Sequence, residues 1–162
     1  MDPPLSGKRF ASAWLKSMAV EVLIDTGAIL ALIDKSDDWH EVCTSTFSGL
    51  PLPMLTSEAV LTELFHMAGV NRAKKESAWR FLRTGIIILA TIEHSELEHI
   101  DALMSRYRDR PMDFADATLV YLAQRESLEV VFTVDQTDFS IYRIGGKKRF
   151  QIIPTGRPDS LM

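Results

Sequence analysis

Asp25 and Asp135 each follow an apolar run, Val22-Leu23-Ile24 and Phe132-Thr133-Val134. Runs of this kind read as buried strands, and in an open α/β sheet ligands collect beyond the carboxyl ends of the strands. Two strands that end alike deliver two acids to one region when they are neighbours. Glu63 sits between Leu61, Leu64 and Phe65, near the apolar stripe of a helix rather than opposite it, and a carboxylate so placed needs a partner. Asp113 and Asp116 are spaced i, i+3 and so share one side of a helix start. Carboxylates gathered together repel, and each raises its neighbour's pKa. A cation relieves that, and an all-oxygen donor set selects Mg2+ or Mn2+ over zinc. Such an ion stabilises charge on phosphate oxygens while water attacks a phosphodiester. The chemistry expected is metal-dependent phosphodiester hydrolysis carried by Asp25, Glu63, Asp116 and Asp135.

Each acid also has a plain structural use. An Asp after a strand often caps the next helix, and Asp113 with Asp116 fits an N-cap followed by an acidic N3 residue. Ala115 and Ala117 flank Asp116 and let that helix end pack closely on the sheet, which favours a functional Asp116 with Asp113 as cap or auxiliary acid. Glu58 competes with Glu63, but its place in a first helical turn is explained by the helix dipole. His94 and His99 are five apart, which misses the i, i+4 zinc pattern. His40 and His66 stand alone and read as structural.

The elements that must position these acids follow from periodicity. Residues 20–24 form a strand, 28–33 and 39–47 helices, and 54–56 a strand after Pro51 and Pro53. Ser57 caps a helix carrying Val60, Leu61, Leu64, Phe65 and Ala68 at helical spacing. A charged helix spans 71–83 with Ala73, Trp79 and Leu82 inward, followed by a strand over 86–89. Helices over 96–107 and 113–124, a strand over 129–134 and a last strand over 150–153 complete the series. Strands alternating with helices imply a parallel sheet covered on both faces.

The chain has 162 residues, 46% hydrophobic and 25% charged, which suits one globular domain. No apolar run approaches the roughly 20 residues of a membrane span, and the lone Cys43 excludes an internal disulfide and fits the reducing cytoplasm. The domain is expected over 19–157, with 1–18 a dispensable N-terminal extension. The net charge of −4 excludes a passive nucleic-acid coat, although an enzyme whose catalytic cluster is itself acidic remains compatible. Basic residues fall in three groups: Arg72, Lys74, Lys75, Arg80 and Arg83; Arg106, Arg108 and Arg110; and Arg143 with Lys147, Lys148 and Arg149. The first reads as a solvated face. The third, close to Asp135, is the better candidate for gripping a phosphate backbone.

These residues resemble the PIN-domain ribonucleases, including the VapC toxins of bacterial VapBC toxin–antitoxin pairs. The resemblance rests on Leu23-Ile24-Asp25-Thr26-Gly27-Ala28, Val60-Leu61-Thr62-Glu63-Leu64, Asp113-Phe114-Ala115-Asp116-Ala117, and Thr133-Val134-Asp135 with Asp138-Phe139 after it. It implies a three-layer α/β/α fold with a mainly parallel sheet, Mg2+- or Mn2+-dependent RNA cleavage, frequent homodimers and, for the toxins, an antitoxin protein partner. It places Asp25, Glu63, Asp116 and Asp135 at the family's acidic positions, with Asp138 as a neighbouring acid and Thr133 as the small hydroxyl residue near the metal. Read from the residues alone, Asp138 is a turn residue and Phe139 packs into the core.

Three other readings compete. A haloacid dehalogenase-type metal-dependent phosphatase wants a second Asp two residues after the first, where Gly27 stands. A receiver domain wants adjacent acids at the first strand's end. A catalytically silent PIN-like module would bind RNA or protein, yet it has no reason to keep all four acids.

Overall fold

The computed structural model describes residues 17–110 and 112–159, so the expected extension lies almost wholly outside the described residues. Five parallel strands form the centre, β1 (Val22–Ile24), β2 (Met54–Ser57), β3 (Ile87–Ala90), β4 (Val130–Phe132) and β7 (Gln151–Ile153), in the order β3-β2-β1-β4-β7. Helices cover both faces: α1 (Thr26–Ile33), α2 (His40–Phe47), α3 (Glu58–Ala68), α4 (Arg72–Leu82), α5 (Leu97–Arg106), α6 (Phe114–Glu126) and α7 (Gln136–Ile141). The expected α/β/α layering is present. β5 (Arg143–Ile144) and β6 (Lys148–Arg149) make a separate antiparallel hairpin.

The central strand β1 is apolar throughout because it is buried on both faces, and its side chains join Leu55, Val131 and Phe132 in one core. Its register with β4 is Ile24 beside Phe132. The next backbone bond, Asp25 N–H to the Phe132 carbonyl at 3.0 Å, carries that alignment past the strand end. Asp25 and Thr133 are therefore side by side where the chain leaves the sheet.

Several expected bounds shift. The last strand-like stretch before Asp135 stops at Phe132, and α7 with the β5–β6 hairpin was not expected. Asp138 belongs to the first turn of α7 rather than to a turn, while Phe139 is fully buried as expected. On α4 the inward residue is Ala78, with Phe81 and Leu82 packed against the core. Ala73 is exposed, and Trp79 is 49% exposed with its ring 4.7 Å from that of Phe65. A helix with so few apolar residues leaves its phase weakly determined by sequence. Among the described residues no helix is long and apolar enough to cross a membrane.

Candidate active site

The acids are delivered by strand ends and helix starts, and capping fixes each backbone before any ligand is involved. Asp25 is the N-cap of α1, its Oδ1 accepting the Thr26 N–H at 2.8 Å. Asp113 is the N-cap of α6 and accepts the Asp116 N–H at 2.8 Å. Asp135 is the N-cap of α7 and accepts the Asp138 N–H at 3.3 Å. The plain structural reading is thus correct for Asp25 and Asp113, and it coexists with clustering, because a cap spends one carboxylate oxygen and leaves the other.

Three hydroxyls aim the carboxylates. The Thr133 hydroxyl donates to Asp25 Oδ2 at 2.9 Å and accepts the Asp135 N–H at 3.0 Å. Thr26 donates to Glu63 Oε2 at 2.9 Å, which gives the awkwardly placed Glu63 its partner. The Tyr142 hydroxyl, itself fully buried, donates to Asp116 Oδ2 at 2.9 Å. Thr26 and Tyr142 had no assigned role in the sequence. Thr26 was legible only as part of the Asp25-Thr26-Gly27 turn, and Tyr142 carried no signal at all, since its partner lies 26 residues away.

Asp116, Asp135 and Asp138 can each offer one oxygen within 4.8 Å of the others. The threesome is capable of holding a metal ion; it shares Asp116 and Asp135 with the expected metal set, adds Asp138, expected only as an auxiliary acid, and does not include Asp25 or Glu63. Asp25 and Asp116 are only 6% and 7% exposed. Burial pushes the Asp25 carboxyl up to about 6, helped by the Glu63 and Asp135 charges and opposed by the Thr26 N–H and the Thr133 hydroxyl. Burial raises Asp116 further, to about 8, with the charges of Asp25 and Asp113 adding to it and the Tyr142 hydroxyl opposing. Asp135 is also raised, by burial and by the Asp138 charge beside it. Acids strained upward this way are a site short of positive charge. The donor set fits a hard divalent cation: it is all oxygen, and its backbone is prearranged by the caps at Asp113 and Asp135.

Beside the cluster lies a groove of about 630 Å3, bounded by α3 residues Ala59, Glu63 and His66 and by Asp113, Phe114 and Ala115 at the start of α6. Phe114 stands 46% exposed on its wall. The buried hydroxyl pair Ser57 and Thr118, 2.7 Å apart, ties the start of α3 to α6.

The basic residues fare unevenly. Arg143 turns inward, its Nη1 donating to the carbonyls of Ser140, Ile141 and Tyr142 and so closing the C-terminus of α7. Lys148 pairs with Glu129 at 2.7 Å. Lys147 and Arg149 stay exposed.

The chain is similar to known proteins in sequence and in fold. Over 135 residues, 82% of this chain and 100% of the relative, the sequence is 29% identical to Ribonuclease VapC26 of Mycobacterium tuberculosis. The crystal structure of M. tuberculosis VapC20, a Sarcin-Ricin loop cleaving toxin, superposes with a TM-score of 0.64 at 21% identity, covering 72% of this chain and 92% of that one. The PIN domain family model matches residues 22–145, a span that opens on β1, closes in the β5–β6 hairpin and contains every carboxylate described above, and the chain belongs to the PIN domain family.

Proposed function

We propose that this protein is an endoribonuclease that hydrolyses RNA phosphodiester bonds with Mg2+ or Mn2+. The observation that carries the reading is the convergence of Asp116, Asp135 and Asp138 within 4.8 Å, with Asp25 tied to the same loop through Thr133. Asp116, Asp135 and Asp138 would hold the cation, and Asp25 and Glu63 complete the acidic wall around it. When bound, the cation neutralises these carboxylates and supplies positive charge to the phosphate undergoing attack.

The chain's own residues do the rest. Thr133, Thr26 and Tyr142 hold Asp25, Glu63 and Asp116 in fixed rotamers, so no reorganisation is needed when the substrate arrives. Burial of Asp25 and Asp116 excludes water that would otherwise screen the charges acting on the phosphate. Thr133, between two of the acids, couples their positions.

A relative named as a ribonuclease and a structural neighbour described as an RNA-cleaving toxin support RNA as the substrate class. They support equally a toxin role with an antitoxin protein as partner, for which the groove beside Phe114 and Glu63 offers a seat. A homodimer and a cytoplasmic setting belong to the same reading. The test is cleavage of single-stranded RNA with Mg2+ or Mn2+, with and without EDTA, by wild type, Asp25→Asn and Asp116→Asn. Cleavage should require the metal and fall at least about 100-fold in each variant. Equal cleavage by all three would sink the assignment.

A further inference from the structure

A second concave site lies away from the carboxylates. It is a pocket of about 190 Å3 between α5, the C-terminal half of α6 and the turn of the β5–β6 hairpin, framed by His99, Arg106, Tyr121, Gln124, Gly145 and Gly146. On α5 the lining residues His99, Ala102, Leu103 and Arg106 recur at i, i+3, i+4 and i+7, so they form one helix face. That face carries two basic side chains and no acid; Glu98 and Asp101 of the same helix do not line the pocket.

The walls are held before any ligand binds. The His99 ring lies flat against Tyr121, with centroids 5.5 Å apart and planes 9° from parallel. Tyr121 is anchored by its hydroxyl, which donates to the buried Glu96 at 2.8 Å, and Glu96 is in turn held by Arg125. Across the pocket, Gly145 and Gly146 adopt φ of +58° and +76°. The Arg106 guanidinium lies along Gly146 so closely that a Cβ there would meet Nη1 at 2.9 Å.

Arg106 makes no ion pair or side-chain hydrogen bond with any described residue, unlike Arg125, Arg143 and Lys148. A cation in the last turn of a helix is favoured by the dipole, which accounts for its sign. The dipole does not account for a free guanidinium laid across to a hairpin turn at the mouth of a pocket that also holds a histidine.

We propose that this pocket binds a phosphate group of the RNA backbone. A guanidinium fork matches phosphate oxygens in a bidentate way, and His99 and the Gln124 amide supply further donors. The volume is below that of pockets for drug-sized ligands and sufficient for one phosphate. The choice of RNA over a free anion rests on the ribonuclease reading and on continuity with the acidic cluster. The hairpin begins one residue after Tyr142, whose hydroxyl bonds Asp116, and it carries the exposed Lys147 and Arg149. A strand leaving the carboxylates along this hairpin passes the pocket. In a chain of net charge −4, such a contact supplies the local attraction that the chain as a whole lacks.

Binding of a fluorescein-labelled 12-nucleotide single-stranded RNA, followed by anisotropy in EDTA, tests this without cleavage. Arg106→Gln should weaken binding about fivefold and flatten the slope of log Kd against log[KCl] by about 0.7. His99→Gln should weaken it about twofold, and Arg80→Gln, on α4, should change nothing. Mn2+ affinity should stay at the wild-type value in all three variants. An Arg106→Gln protein with wild-type affinity and slope overturns the proposal, as does a wild type that binds no RNA. In a parallel arm, inorganic phosphate is titrated while the Gly145 and Gly146 amides are followed by NMR. Shifts there combined with unchanged RNA affinity in Arg106→Gln would make this a free-phosphate site and reject the backbone assignment. RNA binding that depends on Arg106 in a protein that never cleaves RNA would uphold the pocket and reject the ribonuclease reading instead.

Discussion

The Thr133 hydroxyl donates to the Asp25 carboxylate at 2.9 Å and in the same position accepts the Asp135 N–H at 3.0 Å, joining residues 108 apart in sequence. One side chain thereby sets the distance between the ends of β1 and β4. Thr133→Val keeps the shape and removes both bonds, leaving a half-buried N–H and a buried carboxylate oxygen each short of a partner. The expected cost is about 2 kcal/mol of stability and a 10- to 100-fold loss of Mn2+ affinity. Calorimetric titration measures the second. Thr133→Ser should recover most of it, and a valine variant with wild-type affinity would contradict the role.

Tyr142 supports Asp116 from below with a hydroxyl at 2.9 Å, while its ring packs edge-on against Tyr107 and Phe139. Tyr142→Phe retains the packing and deletes the donor. Stability should fall by only about 1 kcal/mol, whereas Mn2+ affinity should fall about tenfold. A loss of stability with no change in metal affinity would reduce Tyr142 to a core residue.

Gly27 allows a close approach that no other residue permits. A Cβ there would lie 2.4 Å from Val134 Cγ2, and Val134 sits between Thr133 and Asp135. Gly27→Ala must displace the Val134 side chain between Thr133 and Asp135, with an expected loss of about 1–3 kcal/mol and a corresponding loss of cleavage. Trimming the opposing side chain with Val134→Ala should restore activity in the double variant, and thermal melts with cleavage assays on all four proteins complete the cycle. Failure of the second substitution to rescue the first would place the defect elsewhere.

The metal-free protein should lose stability as pH rises. Asp25 at about 6 and Asp116 at about 8 lie above the ordinary carboxylate value of 3.8. Folded protein therefore retains protons that the unfolded chain has released, and the contribution of these groups is complete below about pH 4 and lost as pH passes through 6 and then 8. The melting temperature in EDTA should fall by about 5 °C or more between about pH 5.5 and 8.5. Mn2+ at the higher pH should reverse the fall, because cation binding displaces those protons and strengthens as they leave. A melting temperature that climbs with pH in EDTA would contradict the carboxylate assignments.

What could be read from the sequence was whatever is local. Apolar runs ending in Asp25 and near Asp135 reported strands and their carboxyl ends, Ser57 and Asp113 reported helix starts, and the alternation of the two periods reported a layered parallel sheet. α7 and the β5–β6 hairpin escaped because six- and two-residue elements carry too few residues for a period to show. The phase of α4 is only partly legible, Leu82 packing inward as expected while Ala73 and Trp79 do not, because its single buried residue, Ala78, gives no stripe to read.

The sequence by itself determined which acids stand at strand ends and helix starts, since capping and burial depend on residues a few positions apart. The tertiary structure alone decided which of them meet. Asp135 and Asp138 share one helix start by local capping, but that Asp116 meets them is tertiary, and Thr133, Thr26 and Tyr142 acquire carboxylate partners 26 to 108 residues away. It also decided that Arg143 is spent on helix carbonyls while Arg106 makes no side-chain hydrogen bond or ion pair with any described residue. Hydrogen-bond partners at such separations are chosen by strand order and register, which depend on the packing of the whole core and leave no mark in a local window. Of the four acids named from the sequence, the fold brings Asp116 and Asp135 together with Asp138, while Asp25 is linked to that loop through Thr133 and Glu63 is held by Thr26.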